Sequence, residues 1–316
     1  MPSLQQLRYL VAVADTLNFS RAAELCHVTQ PTLSMQLREL ELKLDAHLVE
    51  RTRSRVLLTP LGENVVRRAR SVLAEIDDIK DAARQEDPAS LKGLLQMGVV
   101  QSVGAYVLSV AMPKLREDFP ALRVIVREDR IEFLPKKLAD GAHDVLLLPE
   151  PVEDPDFTCA KLIREPLYLV LPSDHPLAGK QNIEPEDLAG ETILSMEQGH
   201  RIHDQIAALC TEVGAAHAKD YAGNTLDTLR LMVTCGMGLT LLPALYVRSD
   251  VMRETLVTAR PLSNRAPFRE LHLVWRTSSP RGKAYRRLAD VMRASLSPWD
   301  CSPSAEQAEI RDWIEG

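Results

Sequence analysis

The segment Glu197-Gln198-Gly199-His200-Arg201 sets an imidazole beside a permanently charged guanidinium, directly ahead of a helical pattern over 202–210. A fixed cation near the start of a helix adds to backbone N–H groups that already favour negative charge, so this point suits a carboxylate or a phosphate. The same arginine could instead pair with Glu197 or Asp204 and lock one conformation; both readings leave Arg201 in control of the segment. Thiol chemistry is the second possibility, through Cys26, Cys159, Cys210, Cys235 and Cys301. Their irregular spacing holds no Cys-x-x-Cys pair and no zinc-like cluster, which suits a reducing compartment and free thiols. Cys210 shares a helix with Ile202, Ile206 and Leu209, so a buried thiol is expected there, with Cys235 beside Gly236 the more accessible and Cys26 a packing residue. His143, His175 and His217 have no metal-site spacing and read as surface or satisfied residues.

A third chemistry is the reading of nucleic acid. The chain of 316 residues carries a net charge of −6, yet Arg51, Arg53, Arg55, Arg67, Arg68 and Arg70 crowd a stretch whose one acid is Glu63. Phosphate affinity depends on where positive charge lies rather than on its total.

These residues need elements to position them. Leu7, Leu10, Val11 and Ala14 define one helical face over 4–16, and Ser20 is a candidate N-cap for a short helix from Arg21. After His27-Val28-Thr29 a third helix starts, with Thr29 as cap and Pro31 in its first turn. Leu33, Leu37, Leu40 and Leu44 form its inner arc, leaving Thr32, Met35, Arg38 and Glu39 outward. This is a helix-turn-helix, and Gln30, Pro31, Thr32, Ser34 and Arg38 are the candidates for base edges and adjacent phosphates. The residues flanking the turn at 52–55 read as a two-stranded wing whose Arg51, Arg53 and Arg55 reach the DNA backbone. Thr59 and Pro60 open a long helix to about residue 85, with Leu61, Val65, Ala69, Val72, Leu73, Ile76 and Ile79 on one face. A lone helix cannot hide such a stripe, which predicts a dimer with paired reading heads on a pseudo-palindromic operator.

Glu86-Asp87-Pro88-Ala89-Ser90 has the composition of a hinge. Beyond it, strands at 94–100, 124–127, 145–148, 167–171, 192–196, 239–242 and 271–275 alternate with helices at 106–118, 133–140, 202–210 and 226–233, an α/β pattern. The expected organisation is a winged helix-turn-helix domain at 1–59, a linker helix and hinge at 60–88, and a two-lobed effector domain at 89–296. In that domain the first lobe takes about 89–164 and 268–296 and the second about 165–267, with a tail at 297–316 that has no derivable role.

Ala22-Ala23, Val28-Thr29-Gln30-Pro31-Thr32-Leu33-Ser34, Glu50-Arg51-Thr52 and Leu58-Thr59-Pro60-Leu61-Gly62 together resemble the DNA-binding domain of LysR-type transcription regulators. Ser102-Val103-Gly104-Ala105-Tyr106, the 197–200 segment, Thr225-Leu226-Asp227-Thr228-Leu229-Arg230 and Thr240-Leu241-Leu242-Pro243-Ala244 are similar to the peroxide-sensing OxyR subgroup, and the likeness spans about 4–294. It implies a winged helix-turn-helix joined to a two-lobed, periplasmic-binding-protein-like (type 2) effector domain. It also implies a homodimer assembling to a homotetramer on double-stranded promoter DNA, with RNA polymerase as a further partner. In the subgroup a cysteine directly after Gly-His reacts with peroxide, and a second, nine positions on, resolves it as a disulfide. Here the second is Cys210 and the first is Arg201, which has no redox chemistry, so that switch cannot run between these positions. A threonine of the subgroup's peroxide pocket corresponds to Ile131, while Ser102 keeps a hydroxyl and His200 is retained.

The resulting expectation is a small anionic effector between the lobes, at Ser102, Ile131, His200, Arg201 and Thr225, with redox sensing through another cysteine pair, Cys210 included, as the alternative. An enzyme is disfavoured by the lack of Gly-x-Ser-x-Gly, phosphate-loop and His-Glu-x-x-His motifs. A solute-binding protein would need a secretion signal and no reading head. Without a signal peptide or membrane-length apolar run, the chain is expected in the cytoplasm, with neither cofactor nor metal.

Overall fold

A computed structural model describes residues 1–51, 56–84, 91–198, 201–263 and 266–301. Helices α1 (Leu4–Thr16), α2 (Phe19–Leu25) and α3 (Gln30–Leu44) are followed by the hairpin β1 (Val49–Arg51) and β2 (Val56–Leu58), then the long α4 (Pro60–Arg84). Leu10, Val13, Leu33, Leu37, Leu40 and Leu48 close the small core of this unit. Ser3 and Gln6 form a reciprocal capping box on α1, and the Gln6 side chain, 1% exposed, reaches Gln36 Oε1 at 3.1 Å and Glu39 Oε2 at 3.2 Å on α3. Glu39, expected to face outward, is therefore drawn to α1. Leu44, expected in the inner arc, stands 36% exposed where α3 ends. The cap of α2 is Asn18, whose Oδ1 accepts the N–H groups of Ser20 and Arg21. Ser20, the expected cap, lies inside the first turn.

Gly62 explains part of the Thr59-Pro60-Leu61-Gly62 run. A Cβ there would stand 2.0 Å from the Leu48 carbonyl oxygen, so only glycine lets α4 leave the wing at this angle. Along α4, Val66 and Ala69 are buried, whereas Leu61, Val72 and Ile79 of the expected stripe are exposed in the single chain.

The remainder is a curled mixed sheet of nine strands clothed by helices. In chain order the elements are β3 (Gly93–Val99), α5 (Gly104–Asp118), β4 (Leu122–Glu128), α6 (Leu134–Ala139), β5 (Val145–Leu148), β6 (Phe157–Pro172), β7 (Thr192–Met196) and α7 (Arg201–Val213). Then come β8 (Ala216–Gly223), α8 (Leu226–Thr234), β9 (Leu239–Pro243), α9 (Ala244–Ser249), β10 (Val257–Pro261), β11 (Phe268–Arg276) and α10 (Gly282–Leu296). Strand order is β4-β3-β5-β11-β6-β9-β7-β8, with β10 beside β6.

The join between the lobes is β6. Residues 157–166 pair with β11, and 167–172 pair with β9 and β10. The sequence reading found only 167–171 of it, because Arg164-Glu165-Pro166 interrupts the apolar run, and proline speaks against a strand interior. Strands β8 and β10 show weak alternation and α9 is a short helix, whereas α10, also outside the expected elements, buries Ala284, Tyr285, Leu288, Ala289 and Met292 at helical spacing.

Candidate DNA-reading head and inter-lobe cleft

The turn between α2 and α3 passes through His27 in the left-handed region, φ 54°, which turns the chain sharply into α3. Thr29 Oγ1 caps α3 by accepting the Thr32 N–H at 3.4 Å and lies 2.8 Å from the Thr32 hydroxyl. With its leucines fixed inward, α3 presents Gln30, Pro31, Thr32, Met35 and Arg38 to solvent, and Ser34 half-buried. The wing is held to α3 by Glu41, whose carboxylate accepts the N–H groups of Leu48 and Val49. Arg51 ends β1, while its side chain, and Arg53 and Arg55 altogether, lie outside the described residues.

A cavity of about 580 Å³ lies where α5 and the loop after β4 face the loop after β7 and the start of α8. That volume falls in the range of small-ligand sites. Ser102, Ile131 and Thr225 all line it. Ser102 lies between β3 and α5, and its carbonyl accepts Arg269 Nη1 at 2.9 Å. The Thr225 oxygen is engaged locally, accepting the Thr228 N–H at 3.1 Å as the cap of α8. His200 lies outside the described residues; Arg201 opens α7, three positions after the cavity-lining Gln198, with its side chain likewise outside.

The wall carries a charge that the sequence does not announce. Glu128, Asp129, Glu132, Glu197 and Asp227 stand there against a single cation, Arg130, among the described lining residues. Several are engaged: Asp129 with Lys137, Glu132 with Arg130, and Asp227 with the Tyr246 hydroxyl at 2.9 Å. Burial opposes ionisation of Asp129, but the Lys137 ammonium and the Arg130 N–H outweigh it and leave its carboxyl below the ordinary value. Tyr106, also in the wall, packs edge-on to Tyr246, centroids 5.1 Å apart. Burial, reinforced by Asp227 and Asp250, pushes its hydroxyl up to about 12, so it stays a neutral donor. Asp227 had a legible signal, since it sits in the quoted Thr225-to-Arg230 motif; the 128–132 acids had none.

Behind the 197–200 segment, buried Ser195 lies 2.8 Å from His217 Nε2 and 3.1 Å from His203 Nδ1. This ties the first turn of α7 to β7 and β8 and makes His217 a satisfied residue, as expected. His143 departs from that expectation: it is 4% exposed, and neither ring nitrogen has a hydrogen-bond partner among the described residues. Cys210 is buried in the apolar cluster of the second lobe among Leu167, Ile193, Ile206 and Leu241, and burial pushes its thiol up. All five cysteines are free, and only Cys235 is exposed. Among the described residues no group of three or more His, Cys, Asp or Glu gathers to hold a metal, and no helix is long and apolar enough to cross a membrane.

Residues 4–63 match the bacterial regulatory helix-turn-helix protein family, lysR type, and 88–297 match the LysR substrate binding domain. The chain is 38% identical over 294 residues to the DNA-binding transcriptional dual regulator OxyR of Escherichia coli K12, covering 93% of this chain and 96% of the relative. It is 35% identical over 296 residues to a probable hydrogen peroxide-inducible genes activator of Streptomyces viridosporus, 93% and 95% of the two chains. Among solved structures, a full-length OxyR variant of Pseudomonas aeruginosa superposes with TM-score 0.74 at 33% identity, covering 93% and 98% of the two chains. A hydrogen-peroxide-bound OxyR variant of Corynebacterium glutamicum superposes at 0.63 with 30% identity, covering 94% and 93%.

Proposed function

Since the chain belongs to the LysR family of DNA-binding transcription regulators, we propose that its output is set by a small effector in the inter-lobe cleft rather than by a disulfide involving Cys210. The observation that carries this reading is the cavity itself, built from both lobes, so that a ligand there binds one lobe angle better than another. The exposed α4 stripe supports pairing with a second copy, and dimers assembling to a tetramer would hold two reading heads on a pseudo-palindromic promoter site. A change of lobe angle then alters head spacing, DNA bending and contact with RNA polymerase.

The expected anion is supported by Arg201 and the backbone N–H groups opening α7. The acidic remainder of the wall asks for the opposite. The ligand class that meets both is amphoteric: a carboxylate or phosphate toward α7, and hydroxyl, amide or ammonium donors facing Glu128, Glu197 and Asp227.

The redox alternative draws on the relatives' names, since those proteins are hydrogen peroxide-inducible activators. Against it stand Arg201 in the reactive position and the burial of Cys210. Footprinting of the reduced full-length protein on its own promoter tests both, with amphoteric metabolites in one arm and hydrogen peroxide in the other. A footprint that moves with a metabolite, and loses that response in Arg201→Ala, is expected. A peroxide-dependent shift abolished by Cys210→Ser would overturn the proposal.

A further inference from the structure

A second cavity, about 1060 Å³, lies between the reading head and the first lobe, walled by α1, α2 and α4 on one side and by the ends of β4 and α6 on the other. Its charge is the reverse of the inter-lobe cleft. Arg21, Arg67, Arg70, Arg127, Lys136 and Lys137 approach it from four elements, against the acids Asp15, Glu63, Glu128 and Asp140. Two of those acids are taken by Arg70 and Arg67, and Lys137 is held by Asp129 from outside the wall. Arg21, Arg127 and Lys136 have no ion pair among the described residues and stand exposed.

His143 belongs to the same wall. Its ring is packed so closely that a Cβ on Gly98 would meet its Cδ2 at 2.7 Å. Burial keeps it neutral, and Lys137, Arg127 and Arg70 add to that against the opposing Asp129. Those cations, secondary to burial in their effect on the imidazole, are the groups that would favour an anion in the cavity.

We propose that this inter-domain cavity is a binding site for a free, multiply charged phosphate-bearing anion, separate from the inter-lobe cleft. Guanidinium groups suit phosphate because their planar N–H forks match its oxygens. Several negative charges suit it because cations stand on both sides, Arg21 on the reading head and Arg127 and Lys136 on the first lobe. The Arg67–Asp140 contact, 3.5 Å long and partly exposed, is the kind of ion pair that contributes little and can open toward a ligand. A bound polyanion would cross-link α4 and α6, fixing the reading head against the first lobe. The Asp129–Lys137 pair carries that state to the other cleft, because Asp129 lines one cavity and Lys137 the other.

The test is isothermal titration of sodium tripolyphosphate into the full-length protein at fixed ionic strength, beside Arg127→Glu/Lys136→Glu and the milder Lys136→Gln. Both sites are exposed and outside the reading head, so folding and operator affinity should be kept, as circular dichroism and DNA titration will show. Saturable binding is expected, weakened about tenfold or more by the double variant, since two charge-assisted contacts become repulsive. Lack of saturable binding beyond an equal ionic strength of sulfate, or equal binding by the double variant, overturns the site. If the double variant lowers the salt slope of operator binding by about 2, the cavity's cations contact DNA phosphates rather than a free ligand, which also overturns the free-anion proposal.

Discussion

Glu165 and Arg269 are direct cross-strand partners on β6 and β11, ion-paired at 2.6 Å with side chains 0% and 1% exposed. The other Glu165 oxygen accepts the Leu245 N–H at 2.8 Å from α9, and Arg269 donates to the Ser102 carbonyl at 2.9 Å ahead of α5. One buried pair thus ties β6, the strand that joins the lobes, to β11, to the first turn of α9 and to the Ser102 loop that lines the inter-lobe cleft. A change of lobe angle must keep this pair or break it.

Breaking it should be costly. Removing one partner leaves an uncompensated buried charge, so Glu165→Gln or Arg269→Met should each lower stability by about 3–5 kcal/mol in urea denaturation. Replacing both, Glu165→Leu with Arg269→Met, removes both charges and should be less destabilising than the worse single change. A double variant that loses the sum of the two would show that the charges do not interact.

His143 makes a pH prediction whose sign is fixed by burial. Its imidazole is pushed down to about 4 by burial first and then by Lys137, Arg127 and Arg70, whereas the unfolded chain protonates it near 6.5. The unfolded state therefore binds more protons between those values, and stability falls as pH drops from about 6.5 to about 4, by up to about 3 kcal/mol. Neither ring nitrogen loses a hydrogen bond on substitution. His143→Leu should therefore flatten this acid limb, read as the difference between the two proteins' urea midpoints at pH 7, 6 and 5. Parallel loss in both proteins would place the acid sensitivity elsewhere.

The helix-turn-helix was legible because its signals are local: a cap, a proline and leucines at helical spacing place α3 without knowledge of the rest. The lobe junction was not, because Glu165 and Arg269 are 104 residues apart. Each alone reads as a surface charge, and their pairing is what permits a fully buried charge inside β6. Within the inter-lobe cleft the motif residues Ser102 and Thr225 were found, but the acids at 128–132 were not. Glu128 ends β4 and Asp129 and Glu132 follow it as ordinary loop residues, and they become a wall only when the second lobe folds opposite. The burial of His143 is illegible for the same reason, since it depends on Gly98 of β3 coming close to its ring from 45 residues earlier in the chain.

Gly62 offers a steric test of the joint between wing and linker. Alanine there would drive its Cβ into backbone, at 2.0 Å from the Leu48 oxygen and 2.9 Å from its carbon. No rotamer relieves that contact. Gly62→Ala should destabilise the reading head by roughly 2–3 kcal/mol or more and weaken operator binding, whereas Gly179→Ala, with open space around its Cβ, should do neither. Equal melting curves for the two variants would refute this account of the joint.

Thiol reactivity separates Cys210 from Cys235. Cys235 is exposed, so its thiolate is accessible, whereas Cys210 is 2% exposed and burial raises its thiol further from ionisation. With an aromatic disulfide reagent at neutral pH, Cys235 should react in the native protein and Cys210 only after denaturant is added, as peptide mapping of the modified sites will show.

Arg38 carries the prediction for DNA. It is exposed on α3 with Leu37 and Leu40 buried on either side of it, so truncating it removes a contact without opening the core. Arg38→Ala should leave the melting temperature unchanged. If Arg38 reads a base edge, operator affinity falls by about 1–3 kcal/mol and discrimination relaxes at that base pair; if it holds a phosphate, affinity falls evenly across sequences and the salt slope drops by about 1. Operator titrations at several salt concentrations, repeated on single-base-pair operator variants, distinguish the two roles. An affinity equal to that of the unaltered protein on every site would remove Arg38 from the reading head and leave recognition to Gln30, Thr32 and Ser34.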